Sequence, residues 1–168
     1  MVYIYNFNKK VNKEIKGKNP IENPYVFAKL FRGNPYIKEV TLHKETIYIE
    51  DKAFKNCKSL ERINIPPKVE YLTSQMFYGC TSLREIIAES PVPPKYFPEN
   101  MCCMSDAEFH DDDKLLYFCV RISKLFTEKS YCFEGVDRKK CIIRVPKGSV
   151  ELYKKALEWK EFENIVEI

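Results

Sequence analysis

Phe31, Phe54 and Phe77 lie 23 residues apart, and the same shift brings several other positions into line. Asn34, Cys57 and Cys80 form one column, Ile37, Leu60 and Leu83 a second, Val40, Ile63 and Ile86 a third, and Val26, Ile49 and Leu72 a fourth. The unit reads Ile-x3-Ala-Phe-x2-Cys-x2-Leu-x2-Ile-x-Ile-Pro-x2-Val in its clearest copy, 49–71, with copies at 26–48 and 72–94. A unit this short cannot bury its own apolar side, so successive units must stack on one another to share a core. Within each, an alternation such as Ile63-Asn64-Ile65 marks a short strand with one buried face. Pro66-Pro67 then ends it, because proline has no N–H to give to a ladder. Equivalent strands should therefore run parallel and side by side.

This arrangement assigns each column a place. The phenylalanines should stack as an interior ladder, and Cys57 and Cys80 should pack as small buried thiols in a tight turn. Asn34 can satisfy backbone groups in the equivalent turn. Between the buried positions, Glu39, Arg62 and Glu85 form an outward column of alternating charge, and Thr41, Asn64 and Ile87 form the next. Opposite charges on neighbouring strands contribute about 0.2–1 kcal/mol per pair, so the first column supports strand register whether or not it binds anything. The two columns, with Arg144 from a later strand, make an exposed sheet face of the kind on which solenoids hold partners.

After Pro94 the period fails, because Asp106 would fall in the Leu83 column and Asp111 in the Ala88 column. The stretch 95–131 is expected to be an insertion, with order over 114–126, where Leu115, Cys119, Ile122 and Phe126 recur at helical spacing. It contains the chain's only metal-like constellation: Cys102, Cys103, His110, Asp111, Asp113 and Cys119. Adjacent cysteines do not match the spacing of structural zinc, and three consecutive Asp lack the glycine turn and final Glu of a calcium loop, so no metal and no cofactor are expected. The second histidine, His43, is expected at the surface. No Gly-x-Ser-x-Gly or Gly-x-Gly-x-x-Gly occurs, and no nucleophile is paired with a base, so nothing supports catalysis.

The pattern returns near the C-terminus, where Ile143-Arg144-Val145-Pro146 repeats the grammar of Ile63-Asn64-Ile65-Pro66 and should add one more strand. Ser149 can then N-cap a helix with Glu151 in its first turn and with Val150, Tyr153 and Leu157 on its buried side; Trp159 and Phe162 follow. The last segment, 164–168, is suited to covering the open end of the stack.

Ala53-Phe54-x2-Cys57-x2-Leu60-x2-Ile63-x-Ile65-Pro66-x2-Val69 resembles the repeat of the BspA-like leucine-rich-repeat family. Val145-Pro146-x-Gly148-Ser149-x3-Tyr153, continuing through Trp159, Phe162 and Ile165-Val166, resembles the C-terminal cap common in that family among Bacteroides-type bacteria. The resemblance implies an α/β repeat solenoid, a right-handed leucine-rich-repeat coil of short parallel strands with an inserted segment and a helix-plus-strand cap. The expected organisation is a lead-in at 1–25, three repeats at 26–94, the insertion at 95–131, and a final strand and cap at 132–168, all in one domain. It also implies a protein-binding module, surface-associated and acting in adhesion or recognition, with a host or bacterial surface protein as partner. The alternatives are a structural spacer or cap in a larger surface assembly and, with less support, a metal-dependent enzyme built on the insertion.

Composition sets outer limits on function. Hydrophobic residues make up 45% and aromatics 14% of the 168 residues, which is the balance of a chain that folds. The net charge of +4 falls short of a nucleic-acid footprint, and the cluster Lys9, Lys10, Lys13, Lys16 and Lys18 has no interleaved aromatic stacking pattern, so no nucleic-acid partner is expected. No apolar run approaches membrane-spanning length, and residues 1–7 are too short and polar for the hydrophobic part of a signal peptide. Seven cysteines cannot all pair within the chain, and their place in the repeat favours buried thiols.

Overall fold

The computed structural model describes residues 3–5, 25–26, 31–96 and 131–168. Its main sheet has six strands in the order β1 (Tyr3–Tyr5), β3 (Glu39–Thr41), β5 (Arg62–Ile65), β7 (Glu85–Ala88), β9 (Ile142–Val145) and β10 (Asn164–Glu167). All neighbours run parallel except β1, which lies antiparallel against β3 at one edge. Two small parallel pairs, β2 (Tyr25–Val26) with β4 (Tyr48–Ile49) and β6 (Tyr71–Leu72) with β8 (Lys95–Tyr96), lie elsewhere on the coil. The register follows the 23-residue period, with Val40 level with Ile63 and Ile63 with Ile86; Ile143 and Ile165 continue the row. The chain is thus a solenoid of about four turns, closed by the short helix α1 (Val150–Lys155) and by β10.

The expected aromatic ladder forms. Phe31 and Phe54 stack at 5.1 Å between ring centroids, and Phe54 and Phe77 at 5.6 Å, each pair within 12° of parallel. A fourth rung not seen in the 23-residue alignment is Phe133, stacked on Phe77 at 5.5 Å and 11° although it lies 56 residues further along. The backbone repeats the same relation there, since the Phe77 N–H donates to Cys132 O at 2.9 Å just as the Phe54 N–H donates to Met76 O at 3.1 Å. Trp159 and Phe162 end the stack at tilted and edge-on angles, so the column turns from repeat to cap.

Beside the ladder lie the thiols. Cys57 and Cys80 are fully buried, and their S–H groups donate to the carbonyls of Phe31 and Phe54, one coil back, at 3.0 and 3.1 Å. Asn34 acts in its turn as expected, its Oδ1 accepting the Tyr36 N–H at 2.9 Å. One position earlier runs a column that sequence comparison did not isolate: Gly33, Asn56, Gly79 and Gly135, with φ of 70°, 62°, 73° and 87°. Gly33, Asn56 and Gly79 each donate an N–H to the next coil, at 2.7–2.8 Å. A Cβ at Gly79 would collide with the Asn56 Oδ1, and one at Gly135 would sit 3.3 Å from Gly79 Cα, so left-handed backbone and close approach both call for glycine here.

The cap departs from expectation in two details. Ser149 occupies the N-cap position, but its backbone is already helical (φ −96°, ψ −11°) and its side chain makes no capping bond; its carbonyl instead accepts the N–H groups of Leu152 and Tyr153. Leu157 is exposed, because the helix stops at Lys155 and Ala156 turns to an extended conformation, which ends the i, i+4 relation with Tyr153. Tyr153 is buried as expected, and its hydroxyl donates to Ser90 O at 2.8 Å, while Trp159 Nε1–H donates to Pro94 O at 3.1 Å. The cap therefore grips the loop after β7 by two carbonyls. The metal-like constellation, the proposed helix over 114–126 and the N-terminal lysine cluster all lie outside the described residues.

Two predictions follow from this interior. Phe77→Ala, which removes a rung stacked between Phe54 and Phe133, should cost about 3–5 kcal/mol in urea denaturation. Burial also pushes the thiols of Cys57, Cys80 and Cys132 up, and that of Cys141 to about 12. Above about pH 8.5 the unfolded chain releases thiol protons that the folded chain keeps. Stability is then complete at neutral pH and falls as pH rises, by about 1.4 kcal/mol per pH unit for each thiol until its folded pKa is reached. Urea midpoints measured in reductant from pH 7.5 to 10.5 should fall steadily, and a flat profile would contradict it.

Candidate functional site

The outward side chains of the main sheet form two rows whose members the register fixes. Glu39, Arg62, Glu85, Ile142 and Asn164 are level in one; Asn64, Ile87, Arg144 and Val166 are level in the other, and Thr41, two residues after Glu39, stands at its β3 end. The seven residues expected on the face thus lie on four adjacent strands, with Arg144 in the row of Thr41 and not in that of Glu85.

Alternating charge becomes a continuous ladder. Arg62 reaches Glu39 at 3.7 Å and places its Nε 2.7 Å from one oxygen of Glu85, while Arg144 reaches diagonally to the other Glu85 oxygen with its own Nε. Lys38 and Glu61 add a pair at 3.1 Å on the strand approach. These groups are half exposed, so each pair contributes about 0–1 kcal/mol and the ladder acts mainly to orient side chains.

Asn64 is the clear correction among the face residues. Expected as an exposed contact, it is buried: its Oδ1 accepts the Leu42 N–H at 2.5 Å, and its Nδ2 donates to Leu42 O at 3.1 Å and to Glu89 Oε1 at 2.8 Å. Ladder pairing between β3 and β5 covers only Glu39–Arg62 and Val40–Ile63, so the Asn64 amide takes over where the backbone ladder ends, imitating a peptide group. Sequence patterning missed this because alternation marks a position as outward without telling whether its side chain folds back onto the neighbouring strand. Thr41 and Arg62 are exposed as expected, and Ile87 and Arg144 are half-buried. His43 is half-buried too, its Nδ1 accepting the Glu45 N–H at 3.3 Å.

At the β9–β10 end the face dips into a shallow open depression of about 500 Å³ lined by Lys140, Ile142, Arg144, Asn164, Val166 and Glu167. Of these only Arg144 was singled out from sequence; Ile142 and Val166 lie on strands beyond the three aligned copies. Lys140 pairs with Asp137 at 3.2 Å, and this ammonium holds the Asp137 carboxyl below the usual carboxylate range. Among the described residues no group of three or more His, Cys, Asp or Glu side chains is placed to hold a metal. No helix among them is long and apolar enough to cross a membrane.

A coil of short parallel strands, one per turn, with leucine-type residues lining the interior and a capped end defines a leucine-rich-repeat solenoid, a repeat architecture that generally serves protein interaction and is typically non-enzymatic. The chain belongs to the BspA-type leucine-rich-repeat family: residues 5–156 match that family's repeat region in 6 copies, where the strict 23-residue alignment had found three. Searches of curated proteins and of solved structures return no match.

The Asn64 clamp can be checked directly. Asn64→Ala leaves the Leu42 N–H and C=O buried without partners and should cost about 2–4 kcal/mol, whereas Thr41→Ala, on the same face, should stay within about 0.5 kcal/mol in the same denaturation assay.

Proposed function

We propose that this chain is a protein-recognition module that acts in adhesion or recognition at a cell surface and holds its partner on the exposed face of the six-stranded sheet. What supports this most is the face itself. Glu39, Thr41, Arg62, Glu85, Ile87 and Arg144 are set side by side on adjacent strands by a fixed register, with the charged row Glu39, Arg62 and Glu85 beside Thr41, Ile87 and Arg144. Such a surface is preorganised, so binding orders few side chains and loses little entropy. Asn64 belongs to the support of this face and not to its contacts. The division into lead-in, repeats, insertion at 95–131 and cap is part of the same proposal. The family's general association with surfaces favours an extracellular setting.

The test is capture by the immobilised chain from a panel of purified host extracellular and bacterial surface proteins. Thr41→Arg and Arg62→Ala should each weaken a genuine partner by about 5-fold or more while the far-UV spectrum stays unchanged. Equal capture by wild type and both variants would place the interaction elsewhere on the molecule.

A further inference from the structure

Among the described residues the charge ladder on the sheet face ends at Glu39, level with Tyr5 of β1, on one side and at Arg144 on the other. It runs Glu39, Arg62, Glu85, Arg144, alternating in sign, and each inner member has an opposite charge on both sides. Among the described residues Arg144 has one only on the Glu85 side. On β10, the position level with it is Val166 and the one diagonal to it, in the Glu85 row, is Asn164. Neither is an acid. Glu167, the nearest acid on β10, is level with buried Val145, and its Oε1 accepts the Gly148 N–H at 2.8 Å.

The position beyond Arg144 is also well formed. Glu85 holds the guanidinium through Nε, and the Arg144 side chain is 41% exposed. Exposed Lys140, paired with Asp137 at 3.2 Å, lines the same depression, together with Ile142, Asn164, Val166 and Glu167. The site therefore places two cations, each paired with a single acid among the described residues, beside the apolar side chains of Ile142 and Val166, on a chain whose net charge is +4.

We propose that this depression is the anchor point of the binding face, and that its occupant is a segment of a partner protein bearing a carboxylate next to an aliphatic side chain. The carboxylate takes the empty place in the ladder, accepting hydrogen bonds from the Arg144 terminal nitrogens with Lys140 alongside, and the aliphatic group lies on Ile142 and Val166. The proposal rests on the recognition role given to the face above and names the chemistry that face selects.

The experiment uses the full chain, ¹⁵N-labelled, titrated at low ionic strength with a fluorescein-labelled peptide Gly-Ser-Leu-Glu-Leu-Ser-Gly and with its Gln counterpart. The Glu peptide should bind about 5-fold more tightly, or better, by anisotropy, and should shift the amides of Ile142, Arg144 and Val166. Arg144→Gln should abolish the preference. Val166→Glu, which supplies the missing acid from β10 itself, should abolish it too while leaving the thermal midpoint equal or higher, so the loss cannot be ascribed to misfolding. Equal affinity for the two peptides, no binding of either, or a preference that survives in Val166→Glu would overturn the proposal. Loss of peptide preference with partner capture still sensitive at Thr41 and Arg62 overturns the anchor alone. Capture insensitive at those residues, with the peptide preference intact, overturns the wider face and leaves the anchor.

Discussion

Four phenylalanine rings, one per coil, lie nearly parallel at spacings of 5.1–5.6 Å, and the distance between strands in the sheet is set by the same rise. A ring contributes to this column only if the coil above and the coil below place their own rings over it, so no turn of the solenoid is stable by itself. Everything outward of the column inherits its geometry. The thiols that donate one coil back, the turn residues that donate one coil forward and the strand that carries the face are all referred to the same repeat distance.

This dependence explains why so much was legible in the sequence. A ladder requires one residue type at one position per turn, and that requirement is visible as a period; Phe31, Phe54 and Phe77, the apolar columns and the strand register follow from it. Phe133 was not legible in the same way, since a fixed shift cannot find a rung displaced by extra chain. The turn column escaped for a different reason: Gly33, Asn56, Gly79 and Gly135 share a backbone conformation, and Asn in place of Gly hides a conformational column from a comparison of side-chain types. In the cap, local rules gave Tyr153, Trp159 and Phe162 but too long a helix, and with it a buried Leu157, because the chain turns at Ala156 to bring Trp159 under the aromatic stack.

The face was legible as a set of positions and less so as a set of roles. Charge alternation in Glu39, Arg62 and Glu85 was apparent at once, because residues level across strands have the same place in the repeat. The diagonal reach of Arg144 and the inward fold of Asn64 depend on rotamers and on where the backbone ladder stops, neither of which a repeat alignment carries. A surface of this kind mixes support and contact in a single row: one member of the outward column holds two strands together while its neighbours remain free to meet a partner.

Phe133 also bears on how such a fold can change. Between the coil positions held by Leu72 and Gln75 there are two residues, whereas the corresponding positions Tyr96 and Tyr131 are separated by 34, and the rung still lands on its neighbour. Loop-closure entropy grows slowly with length, about 0.6 kcal/mol per doubling, so links of very different length can join two rungs at a cost below the worth of a buried ring. A stacked architecture is therefore open to acquisition at its seams. New chain can enter between turns and be altered freely under selection, while the interior that it interrupts needs no redesign.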